Sequence, residues 1–273
     1  MIDSELQPVL YIPHGGGPLP LLGEPGHAQL VKFLKTITTT FKKPSAIVVI
    51  SAHYEAAVAT VLSGANPELY YDYYNFPAKA YEICYPARGN PALAQRVIEL
   101  LADSGISAVA DTQRGFDHGM FVPLKLMYPD ADIPCIELSL LEDMSPARHI
   151  AMGRAIACLR EQGVLILGSG SSYHNMQRPR PGIDPSPAEL LQFDQWLIES
   201  CSDADLTKSD REQRLLNWLA APHARFCHPR EEHLLPLHVC LGAALQHSKN
   251  NGAAELVFNQ PMMGRELQAF LWR

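Results

Sequence analysis

Eleven histidines stand against 22 lysines and arginines in this chain of 273 residues. Three of them occupy one kind of position. His14 ends the apolar run "PVLYIP" (8–13) and is followed at once by Gly15, Gly16 and Gly17. His53 follows "AIVVIS" (46–51), and His174 follows "VLILGS" (164–169) and a glycine-bearing turn. Each run is short, apolar and rich in β-branched residues, the pattern of a buried strand. Each histidine therefore sits just past the carboxyl end of a strand, the edge where open α/β sheets bind ligands. His118 lies in the loop "RGFDHGMFVPL", and His233 in "HPREEHLLPL", directly before a proline-started helix. Imidazoles gathered at such an edge make a divalent-metal site or an acid/base site, because imidazole ligates when neutral and titrates near pH 7. Three glycines in succession cost backbone entropy. They make sense after His14 if the chain must turn tightly there, or if something must come close to it.

The other candidates are weaker. His228 is five residues from His233 and competes for the same role. Glu231 and Glu232 could supply a carboxylate ligand, although acids at a helix N-terminus are also favoured by its dipole. His27, His149, His223 and His247 fall in polar or helical-surface contexts and are expected on the surface, while His238, among apolar neighbours, is expected in the core. "GSGSS" (168–172) lacks the lysine and spacing of a phosphate loop. Ser169 and Ser171 lack the G-x-S-x-G elbow of a serine hydrolase.

The elements that must position these residues alternate. Further strands are expected at 59–64, 106–111 and 133–138, and helices at 27–41, 91–104 and 146–162. The second of these helices has Asn90 as N-cap, Pro91 at its first position and Gly105 closing it. After residue 170 come a proline-rich surface or lid loop (176–187), helices at 188–201 and 211–220, the segment "HLLPLHVCLGAALQH", and a last strand at 254–260. Pro236 is tolerable there only in the helix's first turn. The alternation predicts an α/β fold: a single domain over 1–273 with a central mostly parallel or mixed β-sheet flanked by helices, and the metal site at the strand C-terminal edge.

Composition narrows the function. With 47% hydrophobic and 19% charged residues the chain can bury a sizeable core. A net charge of −7 argues against a nucleic-acid or anionic-membrane partner. Six cysteines without a C-x-x-C pair suggest reduced thiols. The stretch "MIDSELQPVL" lacks the basic and apolar regions of a signal peptide. A cytoplasmic protein is expected, with a homodimer as the default assembly.

Five stretches in order, "HGGGP", "SAHYE", "GFDHGMFVPLKLMYPDADIP", "GSGSSYHN" and "HPREEHLLPLHVCLGAA", together resemble the class III extradiol ring-cleaving dioxygenases, in particular the DODA-type, 4,5-DOPA dioxygenase-like branch. The resemblance spans residues 8 to about 243. It implies that His14, His53 and His233 bind a divalent non-haem metal, that His174 is the catalytic acid/base, and that His118 is a second active-site histidine. It also implies Fe(2+) for activity, with Zn(2+) able to occupy the same site, and a small catecholic, DOPA-like substrate opened with O2. Many relatives have a shorter Gly-Ser-Pro where this chain has Gly15-Gly16-Gly17-Pro18. The protocatechuate-type branch uses a glutamate as third ligand, so Glu231, Glu232 and His228 stay as alternatives to His233.

Two other functions fit the same histidines. One is a zinc-dependent hydrolase, with three protein ligands and a water. The other is a Memo-like non-enzymatic binding protein, in which His118 and His174 would be superfluous. The aromatic stretch "ELYYDYYNFP" (68–77) reads either as a wall or lid near the site or as core packing. Arg178 and Arg180 are candidates to meet a substrate carboxylate.

Overall fold

The computed structural model describes residues 6–177, 180, 183–248, 250–262 and 264–273. In chain order these form β1 (Val9–Pro13), α1 (Leu19–Leu22), α2 (Ala28–Ile37), β2 (Ala46–Ala56), β3 (Ala59–Leu62), α3 (Pro91–Asp103), β4 (Ala108–Asp111), α4 (His118–Met127), β5 (Cys135–Leu141) and α5 (Pro146–Ile156). Then follow β6 (Val164–Gly170), α6 (Pro187–Ser202), α7 (Lys208–Leu216), α8 (Ala224–Cys227), α9 (Leu235–Leu245), β7 (Glu255–Met262) and β8 (Arg265–Trp272).

One eight-stranded sheet carries them, in the order β4-β3-β5-β2-β6-β1-β8-β7. Its centre, β5-β2-β6-β1, is parallel. Both margins reverse: β3 meets β5 antiparallel, and β8 meets β1 antiparallel with β7 beyond it. The sheet is mixed, with the parallel strands in the middle, where both faces must be covered.

Alternation along the central strands divides the core. Val9, Tyr11, Val48, Ile50, Ile136 and Ile166 pack with α3, α5 and α9 on one face. Leu10, Ile12, Ile47, Val49, Leu165 and Leu167 pack with α2 and α4 on the other. Consecutive residues of a strand point to opposite faces, so two helical layers follow from apolar runs with no polar member.

α3 begins as expected, with the Asn90 side chain accepting from the Leu93 N–H. α4 and β8 are additions to the sequence reading. His118 is the first residue of α4 and not part of a loop. That helix is buried on nearly every side and holds Pro123 within it, so it lacks both an amphipathic period and an unbroken run of helix formers. Among the described residues no helix is long and apolar enough to cross a membrane.

Candidate metal centre

β1 delivers His14. Its last pair is Pro13 with Gly170 of β6, and the His14 N–H still reaches the Gly170 carbonyl at 3.1 Å. The chain then turns through Gly15 at φ +88°, where a Cβ would lie 2.5 Å from the Pro20 ring. An L side chain would be strained there and would also clash. His27 holds this turn and is wholly buried, which corrects its expected surface position. Its Nε2 accepts the Gly16 N–H at 3.0 Å, and its Nδ1 meets Glu24.

The His14 ring has a defined tautomer. The Ser169 hydroxyl donates to the Gly119 carbonyl, so its oxygen accepts from His14 Nδ1–H at 3.1 Å. Nε2 is left as a bare lone pair. Pro123 contributes to this arrangement: having no N–H, it cannot donate to the carbonyl four residues back, which is that of Gly119.

β2 presents His53 through an irregularity. Ile50 pairs with Leu138 of β5, but the next pair is Glu55 with Leu140. Residues 51–54 thus stand opposite Ser139 alone, a bulge of the kind that re-aims side chains beside active sites. The backbone groups of His53 that it frees are satisfied. The His53 N–H donates to Ser51 Oγ, and its carbonyl accepts from Arg114 at 2.9 Å. Ser51 and Arg114 are in turn fixed on the buried Asp117.

His233 stands just before α9. Its carbonyl accepts from the Ser171 N–H and the Tyr11 hydroxyl, each at 3.0 Å. Gly170 permits this approach, since a Cβ there would lie 2.2 Å from that carbonyl oxygen. Nδ1 of the ring meets Glu232 Oε1 at 3.0 Å.

These three imidazoles converge. His14 Nε2 and His53 Nε2 face each other at 3.1 Å. Ring centroids are 4.9 Å apart for His14–His53, 5.1 Å for His53–His233 and 5.2 Å for His14–His233. Two nitrogens bound to one ion at about 2.0–2.1 Å, at angles between right and tetrahedral, lie roughly 2.9–3.4 Å apart. The spacing fits. So does the protonation state: burial, then the neighbouring histidines, pushes His14 and His53 well below the usual imidazole range. Burial pushes His233 down to about 4, against the hydrogen bond to Glu232. Neutral imidazoles with aligned lone pairs are the form that ligates a cation.

The remaining two histidines flank the trio. His174 stacks on His233, with centroids 3.4 Å apart and planes at 15°. His118 packs against His53 at 3.9 Å. Glu232 Oε1 meets His174 Nδ1 at 3.3 Å as well as His233. Burial works against the Glu232 charge, but hydrogen bonds with His174 and His233 hold its carboxyl well below the ordinary range. Asp72 Oδ1 meets His118 Nδ1 at 2.8 Å.

Of the alternatives for third ligand, Glu232 lies in the site beside His233 and His174, and the other two are engaged with other partners. His228 is buried with its Nε2 on the Ser172 carbonyl, between Phe193 and Trp218. Glu231 pairs with Arg225. His238 is in the core as expected, and His149, expected at the surface, is fully buried. The 68–77 stretch divides: Tyr73 is buried with its ring 5.8 Å from His118, whereas Tyr70 and Tyr74 are exposed. Arg180 is committed to Asp184, and Arg178 lies outside the described residues. Sequence reasoning missed Asp72, Ser169 and Arg114. Asp72 was legible in principle, as an acid with two tyrosines on either side.

A mixed sheet with neutral imidazoles converging at its carboxyl edge, flanked by two carboxylate-tied histidines, fits a metal-dependent enzyme. Residues 9–266 match the family described as the catalytic LigB subunit of aromatic ring-opening dioxygenase. The chain is 38% identical to a 4,5-DOPA dioxygenase extradiol of Beta vulgaris, over 94% of this chain and 92% of that one. It is 36% identical to a dioxygenase of Hapsidospora irregularis, over 98% and 86% of the two chains. A crystal structure of an uncharacterized Escherichia coli K12 protein, 30% identical, superposes with a TM-score of 0.78 over 98% of this chain and all of the other. The protein belongs to the LigB family of extradiol, ring-cleaving dioxygenases.

Proposed function

We propose that His14, His53 and His233 hold Fe(2+) and that the enzyme opens the ring of a catechol, of the DOPA type, with O2. One observation carries the reading: His14 and His53 bring their Nε2 atoms within 3.1 Å of each other, and a ring nitrogen of His233 lies within 4.8 Å of both. Imidazole suits iron and zinc alike, so Zn(2+) is proposed as an occupant of the same site. The substrate class follows the names of the relatives in Beta vulgaris and Escherichia coli, both 4,5-DOPA dioxygenase extradiol.

Bound there, the divalent ion supplies a Lewis acid that acidifies catechol hydroxyls and brings catechol and O2 together. The chain's own groups manage the protons. His174 keeps Nδ1 on Glu232, which leaves Nε2 to accept the second catechol proton and return it later. Its side chain is 31% exposed, so it stands on the side from which a substrate enters. His118 is nearly enclosed and keeps Nδ1–H on Asp72, leaving Nε2 to accept a hydrogen bond from a substrate hydroxyl. Tyr73 backs His118 with an aromatic wall suited to a planar ring. The six free cysteines support a reducing, cytoplasmic setting.

The test is product formation. Protein purified without oxygen and loaded with Fe(2+) or Zn(2+) is offered a panel of catechols, including DOPA, in aerated buffer. A yellow ring-opened product from the Fe(2+)-loaded protein alone is the expected result. No product with any catechol, from protein that holds one metal per chain, would overturn the reading.

A further inference from the structure

Asp72 lies outside the five motif stretches, in the middle of the aromatic segment. Its position is set by backbone pairing with the residues before α4: the Tyr70 N–H donates to Phe116 at 2.7 Å, and the Phe116 N–H to Glu68 at 2.8 Å. The carboxylate is thereby brought to the N-terminus of α4. There Oδ1 accepts the His118 backbone N–H at 3.0 Å and His118 Nδ1–H at 2.8 Å. Oδ2 faces His53 Nδ1 at 3.5 Å. Only 10% of the Asp72 side chain is exposed. A carboxylate is favoured at this place by the helix dipole as well.

We infer that Asp72 is a positioning residue that ties the metal ligand His53 to the flanking histidine His118, so that one carboxylate sets both rings. This rests on the three-histidine ligand reading above. When His53 Nε2 is given to a metal, the ring's proton is on Nδ1, and a donor then faces Oδ2. His118 already directs two donors at Oδ1. A carboxylate accepts on both oxygens, whereas an amide accepts on one and donates on the other. Whichever way the amide in Asp72→Asn turns, a donor must meet a donor, at His53 or at the start of α4. Across the site Glu232 has the same relation to His233 and His174. Each flanking histidine is thus joined to one ligand through a shared carboxylate. Such outer partners fix ring orientation and raise ligand basicity, and their loss typically costs about 10–100-fold in metal affinity.

The experiment measures Co(2+) binding to the full chain by chelator competition, with the visible spectrum as a report on the ligand field. For Asp72→Asn the expected result is a Kd about 10–100-fold weaker than wild type and an altered spectrum. Asp72→Ser, which removes the carboxylate without introducing an amide, is expected to lose affinity similarly and serves if the first variant does not fold. Asp72→Glu is expected to recover part of the loss. Affinity and spectrum unchanged in Asp72→Asn would overturn the inference while leaving the ligand reading intact. Failure of wild type to bind Co(2+) would overturn the ligand reading itself.

Discussion

The His174 ring lies flat against the His233 ring, 3.4 Å between centroids, and both share the carboxylate of Glu232. The proposed proton acceptor is therefore packed on the proposed metal ligand and cannot drift from the metal without losing its partner. His174→Gln is expected to lower kcat by about 10²–10⁴-fold, the usual range for a lost general acid/base. Metal content should be unchanged. Steady-state kinetics beside metal analysis of the same sample checks both.

Ser169 gives His14 its tautomer by accepting a hydrogen bond from Nδ1–H while donating to the Gly119 carbonyl. Ser169→Ala removes that acceptor and leaves a buried ring N–H without a partner. Metal affinity is expected to fall by about 10–100-fold, with the fold retained. Titration with Zn(2+) against a competing chelator reads the change.

Gly170 is where β6 passes beneath the His233 carbonyl. The Cβ of Gly170→Ala would lie 2.2 Å from that backbone oxygen, which has no flexible end to move aside. Overpacking of this kind typically costs about 1–3 kcal/mol. Thermal denaturation should show a lowered Tm, and the metal should stabilise the variant less than it does wild type.

His149 makes the acid limb of stability steeper. It is buried and neutral, with Nε2 accepting the Leu141 N–H and Nδ1–H donating to Ser145. Burial pushes its pKa down to about 4, whereas in the unfolded chain it titrates near ~6.5. As pH falls the unfolded state binds the proton first. The contribution is thus fully present above ~6.5 and is lost as pH falls through the folded value, up to roughly 3 kcal/mol. His228, pushed down by burial to about 3, acts in the same sense. Denaturant titration of metal-free His149→Gln between pH 7 and pH 4 should show a shallower loss than wild type.

The histidines legible in the sequence were those placed by backbone alone. A strand end followed by glycine is a local pattern, and His14, His53 and His174 announce themselves through it. What sequence reasoning missed depends on distant partners. His27 and His149 look like surface residues until the Gly16 and Leu141 N–H groups are brought to them. Asp72 reads as an interruption of an aromatic run because its partners, His53 and His118, lie 19 and 46 residues away. α4 was hidden by its own function: Pro123 resembles a helix breaker, and its missing N–H leaves Gly119 free to receive Ser169. The bulge in β2 has no sequence signature, since residues 51–54 continue an apparently regular strand.

The proposed reaction needs three neutral imidazoles to hold a metal at which a catechol is opened by O2. Oxygen uptake tests it most directly, using anaerobically prepared wild type loaded with Fe(2+) and compared with His14→Ala, His53→Ala and His233→Ala prepared identically. Consumption of one O2 per catechol by wild type, and none by any variant, is the expected result. Turnover that persists without oxygen, or uptake that survives the loss of these histidines, would contradict it.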